Sequence, residues 1–236
     1  MNTSFYTAAL GAKTQQERLN VVANNLANVN TNGYKAKTAT FEELMYHNMR
    51  EHESVDSNLT SGAGATINHT NTDFRGAGYA PDDSPYSFAI EGDGFFMLQD
   101  AATNELYYTR NGKFSVSSRP NGFFLVNDAG KLVLDANKSP IQLVNGKLNT
   151  IPAVFDFENY DGMESVGANM FQPLAKNGEP TLNPSVQILE KRLEMSNVDT
   201  AYEMSELIEA SRAYSYVLKM VQTSDEVTQT INELRR

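Results

Sequence analysis

The C-terminal stretch NVDTAYEMSELIEASRAYSYVLKMVQTSDEVTQTINELRR, residues 197–236, decides how the rest of the chain is read. It holds neither Pro nor Gly. Leu207, Ala210, Tyr214, Val217, Val221, Ser224, Val227, Ile231 and Leu234 recur at steps of three and four, which places them on one face of a helix. Asn197 and the Thr200-x-x-Glu203 pattern predict its start, as a capping box that would satisfy free N–H groups of the first turn. At 1.5 Å per residue such a helix is roughly 55 Å long, more than the width of a small domain. Its apolar stripe needs a partner of similar length.

The N-terminal arm offers one. Phe5, Ala8, Ala12, Gln15, Leu19, Val22, Leu26 and Val29 alternate the same two steps over about three and a half heptads. Gly11 and Gln15 interrupt the stripe, and the small Ala8, Ala9, Ala12 and Ala23 permit close helix approach. An Asn-rich run, residues 28–33, closes the arm on Gly33 as a helix stop. Two stripes of one period at opposite ends of the chain predict a coiled-coil-like helical layer. It would be antiparallel within a chain or shared among chains.

Composition bounds the remainder. The 236 residues are 40% hydrophobic with a net charge of −10, and Cys is absent, which excludes disulfides, thiol catalysis and Cys-based zinc sites. The acidity argues against nucleic acid as a partner. No apolar run nears the eighteen or so residues of a membrane span, so no stable membrane insertion is expected. The first residues lack the basic and apolar regions of a cleaved signal peptide. Residues 1–50 carry five basic and three acidic side chains, residues 51–184 eight and seventeen, and residues 185–236 six and nine. The acidity thus lies in the middle, where a solvent-facing domain uses it for solubility.

All eight Pro, and all but two of the fifteen Gly, fall between residues 62 and 184. The chain divides accordingly into a helical arm (1–33), an extended linker (34–80), a β-rich domain (81–184), an extended return segment (185–196) and the C-terminal helix (197–236). Within the linker, 41–46 reads as a short helix and 65–70 as a strand. In the middle, 88–90 and 95–98 flank Glu91-Gly-Asp-Gly94, and 106–108 and 114–116 flank Arg110-Asn-Gly112, both hairpin signals. Asn127-Asp-Ala-Gly130 and Asn145-Gly146 mark two more turns. The expected fold class is α+β: long terminal helices packed together, with a central antiparallel β-rich domain.

One segment goes further. Val22-Ala-Asn-Asn-Leu-Ala-Asn-Val-Asn-Thr-Asn-Gly-Tyr-Lys35 resembles the N-terminal signature of bacterial flagellar rod and hook axial proteins. Ala89-Ile-Glu-Gly-Asp-Gly-Phe-Phe96, Tyr108-Thr-Arg-Asn-Gly-Lys-Phe114, Gly162-Met-Glu-Ser-Val-Gly-Ala-Asn169 and Leu193-Glu-Met-Ser-Asn-Val-Asp199 resemble later motifs of that family, in order. Asn24, Asn25, Asn28, Asn30, Thr31, Gly33, Tyr34, Lys35, Ser196, Asn197, Val198 and Asp199 carry the two terminal motifs. The sequence departs at Val217, where the family often has Asn, and is short around 142–149. Length and a single β domain look most like the rod subunits, with hook or hook-proximal proteins as the alternative.

The resemblance implies a structural subunit of the flagellar basal body, exported through the flagellar type III apparatus without signal cleavage. It would polymerise helically with copies of itself and with other rod and hook axial proteins, transmit torque between motor and hook, and be needed for motility. The implied assembly interface is Phe5, Ala8, Ala12, Leu19, Val22, Leu26 and Val29 on the arm. On the C-terminal helix it is Leu207, Tyr214, Val217, Val221, Val227, Ile231 and Leu234. No catalytic, cofactor or metal site is expected. His47, His52 and His69 lack a metal spacing, the Gly-x-Gly pairs lack a third Gly, and Asp82-Asp83 sit on a Pro-flanked loop. The aromatic, acidic middle motivates a second reading as a cell-wall-binding or cell-wall-hydrolysing module, against a core role for those rings.

Overall fold

The structure, a computed structural model, describes residues 3–45, 47–48, 60–144 and 146–234. They form an α+β protein of two compact units. One comprises the described parts of 1–27, 37–71 and 199–236, and the other 28–36 and 72–198.

The first unit is built on two helices, α1 (Thr3–Ala27) and α2 (Thr200–Leu234). They run antiparallel. Asn25 of α1 meets Glu203 of α2, and at an equal interval along both helices Gly11 lies over Val217. That interval is about 21 Å at 1.5 Å per residue. Continuing the register sets Thr3 beside roughly residue 225, so the last turns of α2 have no described α1 residue alongside them. The start of α2 differs from expectation. Asp199 is the cap, its Oδ1 accepting from the N–H groups of Ala201 (2.9 Å) and Tyr202 (3.2 Å). Glu203 does not close a capping box; it turns inward to Asn25.

The described residues of 37–71, which the sequence predicts as part of an extended linker, pack into this unit. Strand Lys37–Glu43 pairs with strand Ala65–Thr72 as a two-stranded ribbon, and His47–Asn48 pairs with Thr60–Ser61. Leu44 N–H donates to Gly64 O (2.9 Å), and Thr14 Oγ1 of α1 donates to Ala65 O (2.9 Å). The helix expected at 41–46 is replaced by the end of the first strand; Tyr46 itself lies outside the described residues. Propensity there is weak, and the Arg18 guanidinium of α1, 5.9 Å from the Phe41 ring, supplies a tertiary partner for the extended form. Strand Ala65–Thr72 contains the expected 65–70.

The second unit centres on strand Phe95–Gln99, which pairs with Leu106–Thr109, Leu132–Val133 and Val154–Asp156. Successive side chains of a strand point to opposite faces. Phe96 and Leu98 enter a core with Phe88, Ile90, Leu125 and Ile141, while Phe95 and Met97 enter another with Tyr108, Phe155, Phe157 and Phe171. Both faces are covered, so the strand reads as a continuous apolar run.

Two expected hairpins are absent. Phe88–Glu91 pairs with Gln187–Glu190, from the far end of the unit, and not with Phe95–Gln99. Gly92 and Gly94 both have positive φ (127° and 122°) and carry the chain from one sheet to another. Likewise Leu106–Thr109 pairs with Phe95–Gln99 and Met170–Gln172, and Ser115–Arg119 pairs with Gly122–Val126. Between them Gly112 passes the Phe88 backbone, where an added Cβ would stand 1.7 Å from Phe88 O. The turn at 127–130 forms as expected, with Gly130 N–H donating to Asn127 O (2.9 Å), and Gln142–Val144 pairs with Lys147–Leu148. The hairpin between Glu164–Gly167 and Met170–Gln172 turns on Ala168 and Asn169, both with positive φ.

Candidate assembly site

The two terminal sequence motifs meet inside the second unit. After α1 the chain folds into a turn, Thr31 N–H to Asn28 O (3.0 Å) and Tyr34 N–H to Thr31 O (3.2 Å), with the Thr31 hydroxyl donating to Asn28 Oδ1 (3.2 Å). Gly33 then donates its N–H to Glu194 O (2.8 Å). At φ +67° it presses on the next loop so closely that a Cβ would lie 2.6 Å from the carbonyl carbon of Arg110. Asn197 ties three strands of chain: its Oδ1 accepts from Ala36 N–H (2.7 Å), its Nδ2 donates to Asp73 O (2.7 Å), and its N–H reaches Tyr34 O (3.4 Å). Ser196 Oγ accepts from Val198 N–H (3.3 Å), and Tyr34 and Val198 are buried.

A buried charge cluster underlies this junction. The side chains of Lys35, Arg110 and Glu194 are each 1% exposed or less. Lys35 Nζ donates to Glu194 Oε1 and to Arg75 O, both at 2.7 Å. Arg110 donates to Gly92 O (2.8 Å) and, at a long 3.5 Å, to Glu194 Oε2. Its guanidinium also faces the Phe95 ring at 5.4 Å, and its Nε has no hydrogen-bond partner. Two cations thus share one carboxylate. Burial pushes the Lys35 amine below the usual lysine range, against the pull of Glu194.

In the first unit Asn25 does the matching work. Its Oδ1 accepts from Lys37 N–H (2.9 Å), and its Nδ2 donates to Lys37 O (2.8 Å) and to Glu203 Oε1 (2.9 Å). Burial raises the Glu203 carboxyl above the ordinary range, although the Asn25 bond opposes the shift. Arg18 reaches both Glu206 and Glu209 of α2. Most motif residues therefore hold this chain to itself. Asn24 and Asn30 are exposed.

The expected interface residues divide into two groups. Val22 is buried, and Ala8, Ala12, Leu19, Leu26, Leu207, Tyr214, Val217 and Val221 are half-buried in the helical unit. Phe5, Val227, Ile231 and Leu234 are exposed, the last three at 51%, 57% and 83%. Val29 lies beyond the end of α1, in the turn of the second unit. Alongside the uncovered turns runs an open apolar groove of about 980 Å³ lined by Ala8, Tyr216, Met220, Val227 and Ile231, among others.

Arg110 and Glu194 lie inside quoted motifs and Glu203 in the expected capping box, but neither they nor Arg18 could be assigned these buried partners, because in the sequence each counts as an ordinary charged residue. The available signal was a charge set between apolar neighbours, as Glu194 is between Leu193 and Met195. Of the residues weighed for catalysis or metal binding, His52 and the side chain of His47 lie outside the described residues. His69 is exposed, Asp82 accepts a hydrogen bond from Ser87, and no group of three metal-ligating side chains exists among the described residues. No described helix is long and apolar enough to cross a membrane. The aromatic residues of the middle region pack edge to face around Phe95, and Tyr108 is buried deeply enough for its phenol to be pushed up to about 12.

These motifs are matched by three family profiles. "Flagella basal body rod protein" covers residues 5–35, "Flagellar hook protein FlgE/F/G D1 domain" covers 89–156, and "Flagellar basal body rod FlgEFG protein C-terminal" covers 189–234. Similarity to curated relatives runs the full length. The flagellar basal-body rod protein FlgG of Buchnera aphidicola subsp. Schizaphis graminum is 31% identical over 263 residues, 99% of this chain and 100% of that protein. FlgG of Borreliella burgdorferi is 31% identical over 273 residues, covering both chains fully. FlgF of Mesorhizobium japonicum is 28% identical over 255 residues, 98% of each. The meeting of the two terminal motifs, the order of the β motifs and the end-to-end match to rod proteins lead to one conclusion: the chain belongs to the flagellar basal-body rod protein family.

Proposed function

We propose that the chain builds the flagellar rod by helical polymerisation, through the faces of the helical unit that its own fold leaves uncovered. The observation that carries this reading is the overhang of α2. Val227, Ile231 and Leu234 continue the stripe that α1 covers as far as Ser224, yet are exposed in the single chain. Exposed apolar surface of this regularity is stabilised when a neighbour buries it. The added contact is coiled-coil-like, extending the antiparallel pair with helices of neighbouring copies. The partners are copies of this chain, other rod and hook axial proteins, and the flagellar export apparatus that delivers it uncleaved to the basal body. The role is structural, with no catalytic step assigned.

Placement in the hook is the second reading, favoured by the hook-derived profile over residues 89–156. The packing does not favour the cell-wall module, because most of the rings that suggested it lie in the core. Electron microscopy of basal bodies from cells carrying a tagged chain tests the proposal. The tag is expected along the rod; a tag confined to the hook, or absent from the axial structure, overturns it.

A further inference from the structure

We propose that residues 187–198 act as a folding latch for the β-rich unit, which stays open until this segment docks. Three independent features of the segment converge. First, it completes sheets. Gln187–Glu190 is the strand partner of Phe88–Glu91, and Arg192–Glu194 is the partner of Tyr79–Pro81. Without it, the carbonyl of the buried Ser87 loses the Lys191 N–H that it accepts (2.8 Å), and the buried Phe88, Ala89 and Ile90 lose their partner strand. Second, it brings Glu194, the carboxylate bonded to both Lys35 and Arg110. Without that charge two cations would have to enter the core unpaired, which the fold cannot sustain. Third, Asn197 and the Glu194 carbonyl pin residues 33–36, so the first stretch of the unit is held by its last.

Every other part of the unit, 28–36 and 72–186, precedes the latch in the chain. A chain emerging N-terminus first therefore carries an incomplete unit, with strand ladders and charges unsatisfied, until its 187–198 segment is free. On the proposed export route, the unit closes only after its 187–198 segment has left the channel; that consequence rests on the proposed function, whereas the latch itself does not.

Amide hydrogen exchange on the full chain and its Glu194→Gln variant tests the latch. The variant keeps the shape of the side chain and removes the charge. Exchange at Phe88–Glu91, Phe95–Gln99 and Leu106–Thr109 is expected to accelerate together, on the order of 100-fold. Unchanged protection there, or loss confined to Arg192–Glu194, overturns the proposal. If Glu194→Gln does not fold at all, the triple variant Lys35→Met, Arg110→Met, Glu194→Leu separates charge from packing. Recovery of slow exchange supports the latch, and continued failure overturns it by assigning the loss to packing. Because this reads folding in the single chain, its failure is distinct from any failure of rod assembly.

Discussion

Asn25 of α1 and Glu203 of α2 lie 2.9 Å apart in the helical unit, a buried amide donating to a buried carboxylate across the helix pair. The same amide satisfies both peptide groups of Lys37, so one side chain joins both helices and the ribbon. Removing it leaves a buried N–H, a C=O and a carboxylate without a partner. Asn25→Ala is expected to cost about 2–4 kcal/mol in the single chain, read by urea unfolding of the helical signal. A loss under about 0.5 kcal/mol would mean that water replaces the amide, and the junction would not be structural.

Glu203 itself has a pH signature. Burial raises its folded pKa above the unfolded value, so the folded state binds the proton more tightly. Its contribution to stability is fully present below the unfolded pKa and is lost as pH rises through the folded one. Glu203→Gln keeps an oxygen for Asn25 and cannot ionise. The variant is expected to match the wild type in mild acid, to be at least as stable near pH 7, and to lack this slope in a series of thermal melts. A variant with the wild-type slope would assign the pH dependence to other carboxylates.

Gly33 and Gly130 have similar positive φ, +67° and +77°, but only Gly33 touches another segment. Gly130→Ala is expected to cost about 1–2 kcal/mol, the penalty of the left-handed conformation. Gly33→Ala adds the collision with Arg110 and is expected to cost at least about 3 kcal/mol. Equal costs in paired denaturation curves would show that the Arg110 loop yields freely.

The exposed turns of α2 separate folding from assembly. Ile231→Asp or Leu234→Asp is expected to change single-chain stability by no more than about 0.5 kcal/mol, because neither side chain is covered. Polymerisation should be abolished, since a charge would enter a buried seam. Sedimentation and electron microscopy of the variants check this; normal polymers would remove these residues from the interface.

Much of this was legible in the residues. Periodicity alone identified both long helices and placed Leu207, Tyr214, Val217, Val221, Val227, Ile231 and Leu234 on one face of α2, because a 3.6-residue period is a local property; which of them α1 covers was not legible. The ordered motifs pointed to the family for the same reason: they are strings of neighbours. What failed depended on distant partners. Glu91-Gly-Asp-Gly94 has hairpin composition, yet Phe88–Glu91 pairs with a strand nearly a hundred residues later. Residues 37–43 became a strand against Ala65–Thr72 because their backbone groups found a ladder there that no local rule supplies.

The C-terminal helix shows the same division. Its existence and its apolar stripe follow from residues 197–236 alone. Its cap at Asp199 is a local bond, whereas the inward turn of Glu203 and the end of its described cover near Ser224 were set by α1, through where Asn25 and Thr3 lie. The junction of Gly33, Lys35, Arg110, Glu194 and Asn197 is wholly tertiary. Its residues come from three separated segments, and a charge in the core is stabilised only by the partner that folding brings to it.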